Sequence, residues 1–124
     1  MPTSTKPASM IVEQTTAGFR HDREKLRPAD QTGIQNSLKR AYVLLRENPP
    51  KFFSNLYQPL PIRLKGGLSS SLYSLRVDPD IRVILTVDDD PIFGQTLVTL
   101  FRAVRNREVE RAYRSTAQLL YGAN

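Results

Sequence analysis

Apolar and polar positions alternate most clearly between Leu72 and Val87. Tyr73, Leu75 and Val77 alternate with polar residues, Asp78-Pro79-Asp80 supplies turn chemistry, and Ile81, Val83, Leu85 and Val87 alternate again. Period-two alternation on both sides of a turn predicts an antiparallel hairpin with one apolar face. Directly opposed residues share a face, so the two apolar sets meet only if the numbers of each opposed pair sum to an even value. That register sets Val77 opposite Ile81 and Arg76 opposite Arg82. Two like charges across a ladder repel, so the arginines either splay into water or await an anion.

Elsewhere the period changes. Residues 10 to 15 are a short β-prone run and predict a first strand. From Thr16 onward Phe19 and Leu26 lie a heptad apart, which predicts a helix bounded by Pro28. Ile34, Leu38, Ala41 and Leu45 fall on one face of a second helix over residues 30 to 46, with Lys39, Arg40 and Arg46 read as its solvated face. Residues 49 to 71 are irregular by composition, and Phe52, Phe53, Leu56, Tyr57 and Leu60 either pack a loop on the core or form a short helix, with stacking of Phe and Tyr on nucleobases as the alternative to packing.

Asp88 to Gly94 predicts a turn, and residues 96 to 104 are apolar on both parities apart from Arg102, as in a strand covered on both faces. Asn106 is placed to cap a final helix that Gly122 ends, with an inner stripe of Val109, Tyr113, Thr116 and Leu120. The order is β-α-α-loop-β-β-β-α: an α+β fold with a small, mostly antiparallel sheet backed by a helical hairpin.

Composition narrows the chemistry. A length of 124 residues suits one domain, read as residues 10 to 124 behind a loose, disordered tail over 1 to 9. There is no cysteine and one histidine, which excludes disulfides, thiolate metal sites and a His-rich metal site. His21 has no partner at ligand spacing and receives no role. The Asp88-Asp89-Asp90 triplet lacks the ligand alternation of a calcium loop, so the expectation is no metal and no cofactor. Eighteen Lys and Arg against twelve Asp and Glu give a net charge of +6, which favours polyanionic partners: nucleic acid or an acidic protein segment. No apolar run approaches the roughly 20 residues of a membrane span, and residues 1 to 9 carry no apolar core of a secretory signal. The expectation is a soluble, cytoplasmic protein without a membrane partner.

Several short motifs stand in a recognisable order: Leu64-Lys65-Gly66-Gly67, Leu72-Tyr73-Ser74-Leu75-Arg76-Val77, Asp80-Ile81-Arg82-Val83-Ile84, the acidic Val87 to Asp90, and the basic Arg102-Ala103-Val104-Arg105-Asn106-Arg107. Over residues 10 to about 120 the sequence resembles the RelE/ParE toxin superfamily of bacterial type II toxin-antitoxin systems. The resemblance implies a twisted, mostly antiparallel sheet backed by a helical hairpin. It implies a RelE-like toxin: a ribosome-dependent, metal-independent endoribonuclease that cuts mRNA, inhibits translation and is neutralised by a cognate antitoxin. Two alternatives come with it, a ParE-like inhibitor of DNA gyrase without chemistry of its own, and an inactive homologue that only binds its antitoxin.

By position in those motifs the resemblance assigns Arg76, Arg82, Arg105 and Tyr113 to catalysis and Lys65, Arg102 and Arg107 to RNA contact. Arg76 and Arg82 would hold the phosphate and stabilise the charge of its transition state, since guanidinium groups are planar and permanently charged donors. The sequence departs from the family in places. Ser74 stands where RelE-like members carry a second basic residue, Val104-Arg105-Asn106 replaces a Gly-His-Arg or Gly-Lys-Arg run, and Glu110 matches the position assigned to Tyr113 equally well. Tyr113 also lies on the inner stripe of the last helix, which leaves a packed core residue as its other reading.

Overall fold

The sheet begins with β1 (Met10–Thr15), which runs parallel to β5 (Gln95–Arg105) from Met10 opposite Gln95 to Thr15 opposite Leu100. The computed structural model describes residues 10–67 and 69–122, so the expected tail over 1 to 9 lies outside the described residues. Thr16 then turns the chain into α1 (Ala17–Glu24): its Oγ1 accepts the Phe19 N–H at 3.2 Å, the capping bond expected of Thr before a helix. The same hydroxyl proton is shared by the carbonyls of Leu100 and Phe101, at 3.2 and 3.1 Å, and so fixes α1 against β5. The second helix, α2 (Pro28–Glu47), starts on a proline at its first turn, where the missing N–H costs nothing.

The stretch expected to be irregular contains a short helix, α3 (Pro49–Ser54), capped by the Asn48 side chain, and a two-residue strand, β2 (Leu56–Tyr57). Gln58 continues the work of β2 by donating from its side chain to the carbonyls of Ser70 and Leu72, both at 3.2 Å. The predicted hairpin follows as β3 (Leu72–Asp78) and β4 (Ile81–Asp90). The five strands are ordered β1-β5-β4-β3-β2, and every neighbouring pair except β1 with β5 is antiparallel. This is the α+β architecture that the pattern predicts.

From Leu72 opposite Thr86 to Arg76 opposite Arg82, every β3–β4 pair has the even sum that the apolar alternation requires. The tip differs, because Asp78 stands opposite Ile81 and a bulge leaves Val77 without an opposed residue. The expected Val77–Ile81 pair therefore does not form. A two-residue turn at Pro79-Asp80 needs an odd sum, the core needs an even one, and a bulge inserts the extra residue that reconciles them. Val77 stays buried, and its carbonyl accepts the Ser37 hydroxyl of α2 at 2.6 Å.

The hairpin is apolar on both faces rather than one. Leu75, Val83 and Leu85 pack with Phe19, Ile34, Leu38, Leu45 and Phe52 beneath the first three helices. Leu72 and Ile84, on the opposite parity, pack with Val104 against α4 (Val109–Tyr121) through Ala112, Tyr113 and Ala117. Gly122, at φ 58°, ends α4 in the left-handed conformation that glycine adopts without penalty. Leu120 is not on the inner stripe: it is 40% exposed, while the small Ala112 and Ala117 let the helix approach the sheet.

Two further expectations change. Asp88, Asp89 and Asp90 extend β4, opposite Leu97, Thr96 and Gln95, and the turn begins three residues later than expected, covering residues 91 to 94. Their side chains serve the ribbon and its turn: Asp89 accepts from the Thr96 hydroxyl, and Asp90 Oδ1 accepts from the Ile92 and Phe93 amides. Asn106 does not cap α4. It opens a 3-10 turn (Asn106–Glu108) and donates from its side chain to the Pro79 carbonyl at 2.9 Å, tying the end of β5 to the hairpin tip. Among the described residues no helix is long and apolar enough to cross a membrane, and no group of three His, Asp or Glu residues is placed to hold a metal ion.

Candidate functional site

Because β2 pairs only through Leu56 and Tyr57, with Leu75 and Ser74, the outer edge of β3 has no strand neighbour at Arg76. A groove of about 640 Å³ opens there. α2 forms one wall with Ser37, Arg40 and Leu44, the end of α3 and β2 form another with Asn55 and Tyr57, and the hairpin contributes Arg76 and Arg82. None of the residues lining it is acidic.

The arginines are held from below. Arg76 and Arg82 are directly opposed across the ladder and therefore share a face. Arg76 donates to the Pro79 carbonyl at 3.2 Å, which folds it toward the hairpin tip. The Arg82 guanidinium carbon lies 5.9 Å from the centre of the Tyr57 ring, within cation–π range, and Arg82 donates to the Ser74 hydroxyl at 3.5 Å. Arg40 donates to Ser37 at 3.1 Å, and Ser37 in turn is bonded to β3 through Val77. Among the described residues none of these three arginines forms an ion pair. Three permanent cations without carboxylate partners line one concavity, an arrangement with the charge to attract an anion, and the planar geometry of guanidinium suits phosphate oxygens.

The remaining residues that the sequence suggested lie elsewhere. Arg102 is bound to Asp22 of α1 by two bonds, Nε to Oδ2 at 2.6 Å and Nη2 to Oδ1 at 3.2 Å, and this partner raises the guanidinium pKa further. Arg105 bridges Asp30 and Asp80 at 3.7 and 3.6 Å. Tyr113 is fully buried, and its hydroxyl donates to the Leu72 carbonyl at 2.6 Å. Burial pushes that phenol up to about 12. Lys65 is exposed in a 3-10 turn after residue 64, and Arg107 is exposed in the turn after β5. None of these five lines the groove.

The groove thus brings together Arg76 and Arg82, and adds Arg40, expected on a solvated face, and Tyr57, for which the sequence left packing and base stacking open. A signal for Arg40 was present: it shares one flank of α2 with Ser37 and Leu44, next to the apolar stripe. A second cavity, of about 560 Å³ between α2 and β1, differs in kind. Its wall includes Glu13, whose carboxylate accepts the Tyr42 hydroxyl at 2.5 Å; burial and this carboxylate push the phenol of Tyr42 well above its ordinary range.

No protein-family model matches the sequence, and no curated protein matches it. Among solved structures, the chain is similar to a YoeB/ParE toxin from Agrobacterium tumefaciens, with 14% identity, 76% of this chain and 96% of that chain covered, and a TM-score of 0.44. It is similar to the YoeB dimer from Staphylococcus aureus, with 16% identity, 79% and 97% covered, and a TM-score of 0.44. It is also similar to a chain of the E. coli DinJ-YafQ toxin-antitoxin complex, with 18% identity, 83% and 98% covered, and a TM-score of 0.44.

Proposed function

We propose that the chain is a toxin of the RelE/ParE type from a type II toxin-antitoxin system. In its RelE-like form it cleaves mRNA on the ribosome and is neutralised by a cognate antitoxin. The observation that carries the reading is the Arg76–Arg82 pair, two cations directly opposed across β3 and β4 that form no ion pair among the described residues, in a groove without an acidic lining residue. Such a pair is destabilising until an anion occupies it, and its position falls on the sequence motifs that carry the family resemblance.

In cleavage of this class the 2′-oxygen attacks the adjacent phosphorus, the bond to the 5′-oxygen breaks, and a 2′,3′-cyclic phosphate and a 5′-hydroxyl result. One proton leaves the attacking hydroxyl and one reaches the departing oxygen. Arg76 and Arg82 contribute by binding the non-bridging oxygens, whose negative charge grows in the phosphorane-like transition state. The groove lining holds no imidazole or carboxylate, so in this reading the protons pass through water or the ribosome, and the protein supplies charge and position.

A second reading, a ParE-like inhibitor of DNA gyrase, is favoured by one observation: Tyr113 is sealed in the core and Arg102 and Arg105 are held by carboxylates. The two are separated by assaying the purified protein on translating ribosomes, with cleavage ends mapped, and on gyrase-catalysed supercoiling. The endonuclease reading expects cut mRNA and unaffected supercoiling. The reverse pattern overturns it in favour of the gyrase inhibitor, and inactivity in both assays leaves antitoxin binding as the function.

A further inference from the structure

We infer that Tyr57 and Arg40 turn this groove into a site for single-stranded RNA in which one nucleobase stacks on the Tyr57 ring beside the phosphate held by Arg76 and Arg82. The inference deepens the endonuclease reading and rests on its view of the groove as an RNA site. Tyr57 is 56% exposed although it belongs to a strand. Its pairing with Ser74 fixes the backbone beneath it, and Arg82 lies against the ring. A ring held in this way and open to solvent offers a rigid platform, and an aromatic platform beside a cationic track is the arrangement by which proteins bind unpaired nucleotides.

Arg40 extends the track. It stands on the α2 wall of the groove, while Arg76 and Arg82 stand on the hairpin, so Arg40 serves a phosphate adjacent to the one that Arg76 and Arg82 hold. A duplex does not satisfy this geometry, because its bases are already stacked on one another. An acidic polypeptide would use the arginines but gain nothing from the exposed ring.

The test is fluorescence anisotropy with a short labelled oligoadenylate and with an abasic oligonucleotide of the same length, which keeps the phosphates and removes the bases. Ribosomes are absent, so the result does not depend on whether mRNA is cut. The wild-type protein is expected to bind oligoadenylate more tightly than the abasic strand. Tyr57→Ala should weaken oligoadenylate binding about tenfold and leave abasic binding unchanged, while Tyr57→Phe retains both. Arg40→Ala should weaken both strands and lower the slope of log affinity against log salt by about 0.7, the loss of one single-strand phosphate contact. Equal affinity of the wild-type protein for the two strands, or equal effects of Tyr57→Ala on both, overturns the inference. Urea unfolding of Tyr57→Ala, expected to match the wild type because the ring is exposed, establishes that any loss belongs to the site.

Discussion

Asp22 and Arg102 stand 80 residues apart in the chain and are joined by two hydrogen bonds, at 2.6 and 3.2 Å. The same carboxylate accepts the Ala103 amide at 2.9 Å. The reason is the length of β1: it pairs with β5 only as far as Leu100, so the edge of β5 beyond that point has no strand partner. Asp22 supplies the missing acceptor, and Arg102 neutralises it. Replacing Asp22 with Ala leaves a buried amide without an acceptor and a guanidinium without its partner. The expected cost is about 2–3 kcal/mol, measured by urea denaturation. Arg102→Ala should cost less, because water reaches that side chain; equal stability of the Asp22→Ala variant and the wild type would contradict the assignment.

Two glycines should respond in opposite ways to alanine. At Gly33, within α2, an added Cβ meets nothing within 4 Å, so Gly33→Ala should stabilise the protein by about 0.5–1 kcal/mol through helix propensity. At Gly18 the added Cβ lies 3.1 Å from the Phe101 carbonyl, and α1 cannot retreat because Thr16 and Asp22 both tie it to β5. Gly18→Ala should therefore lower the thermal midpoint where Gly33→Ala raises it. Thermal unfolding of both variants checks the contrast, and a gain at Gly18 would refute the close docking of α1.

Tyr113 makes a prediction about alkaline stability. Its hydroxyl is buried on the Leu72 carbonyl, and burial holds the phenol at about 12, above the ordinary value of about 10. The folded state thus keeps a proton that the unfolded chain releases first. The resulting stability is fully present below about pH 10 and is lost as the pH climbs toward about 12. Tyr113→Phe should flatten that alkaline loss and cost about 1–2 kcal/mol at neutral pH, because the Leu72 carbonyl loses its side-chain donor. An unchanged profile of stability against pH in this variant would contradict the placement.

The sequence carried the hairpin register well because a buried face admits only one parity, and the pairs from Leu72 opposite Thr86 to Arg76 opposite Arg82 follow it. It did not carry the bulge at Val77, which arises from a conflict between turn length and core parity. β2 was too short to leave a periodic signal: its two residues are set by pairing with Leu75 and Ser74 rather than by their own pattern. The arginines show the same divide. Arg76 and Arg82 could be placed side by side from local alternation alone. The carboxylates that hold Arg102 and Arg105 come from α1, the start of α2 and the hairpin turn, and no local pattern announces such partners. Tyr57 and Arg40 meet the hairpin only through the fold.

The antitoxin in the proposed reading should be drawn to this basic face. An acidic partner that covers Arg40, Arg76 and Arg82 would bind more tightly at low salt, since the charges involved are partly exposed and screened by added ions. Titration calorimetry of the complex across a range of salt concentrations checks this, and an affinity independent of salt would place the partner elsewhere on the protein.

The most direct measurement is the rate of mRNA cleavage on translating ribosomes by the wild-type protein and by Arg82→Ala. Arg82 sits in the groove opposite Arg76, within cation–π range of Tyr57, and in the proposed reading it stabilises charge that appears only in the transition state. Removing it should slow cleavage about a hundredfold or more, with urea stability close to that of the wild type. Cleavage by Arg82→Ala at the full wild-type rate would contradict the account.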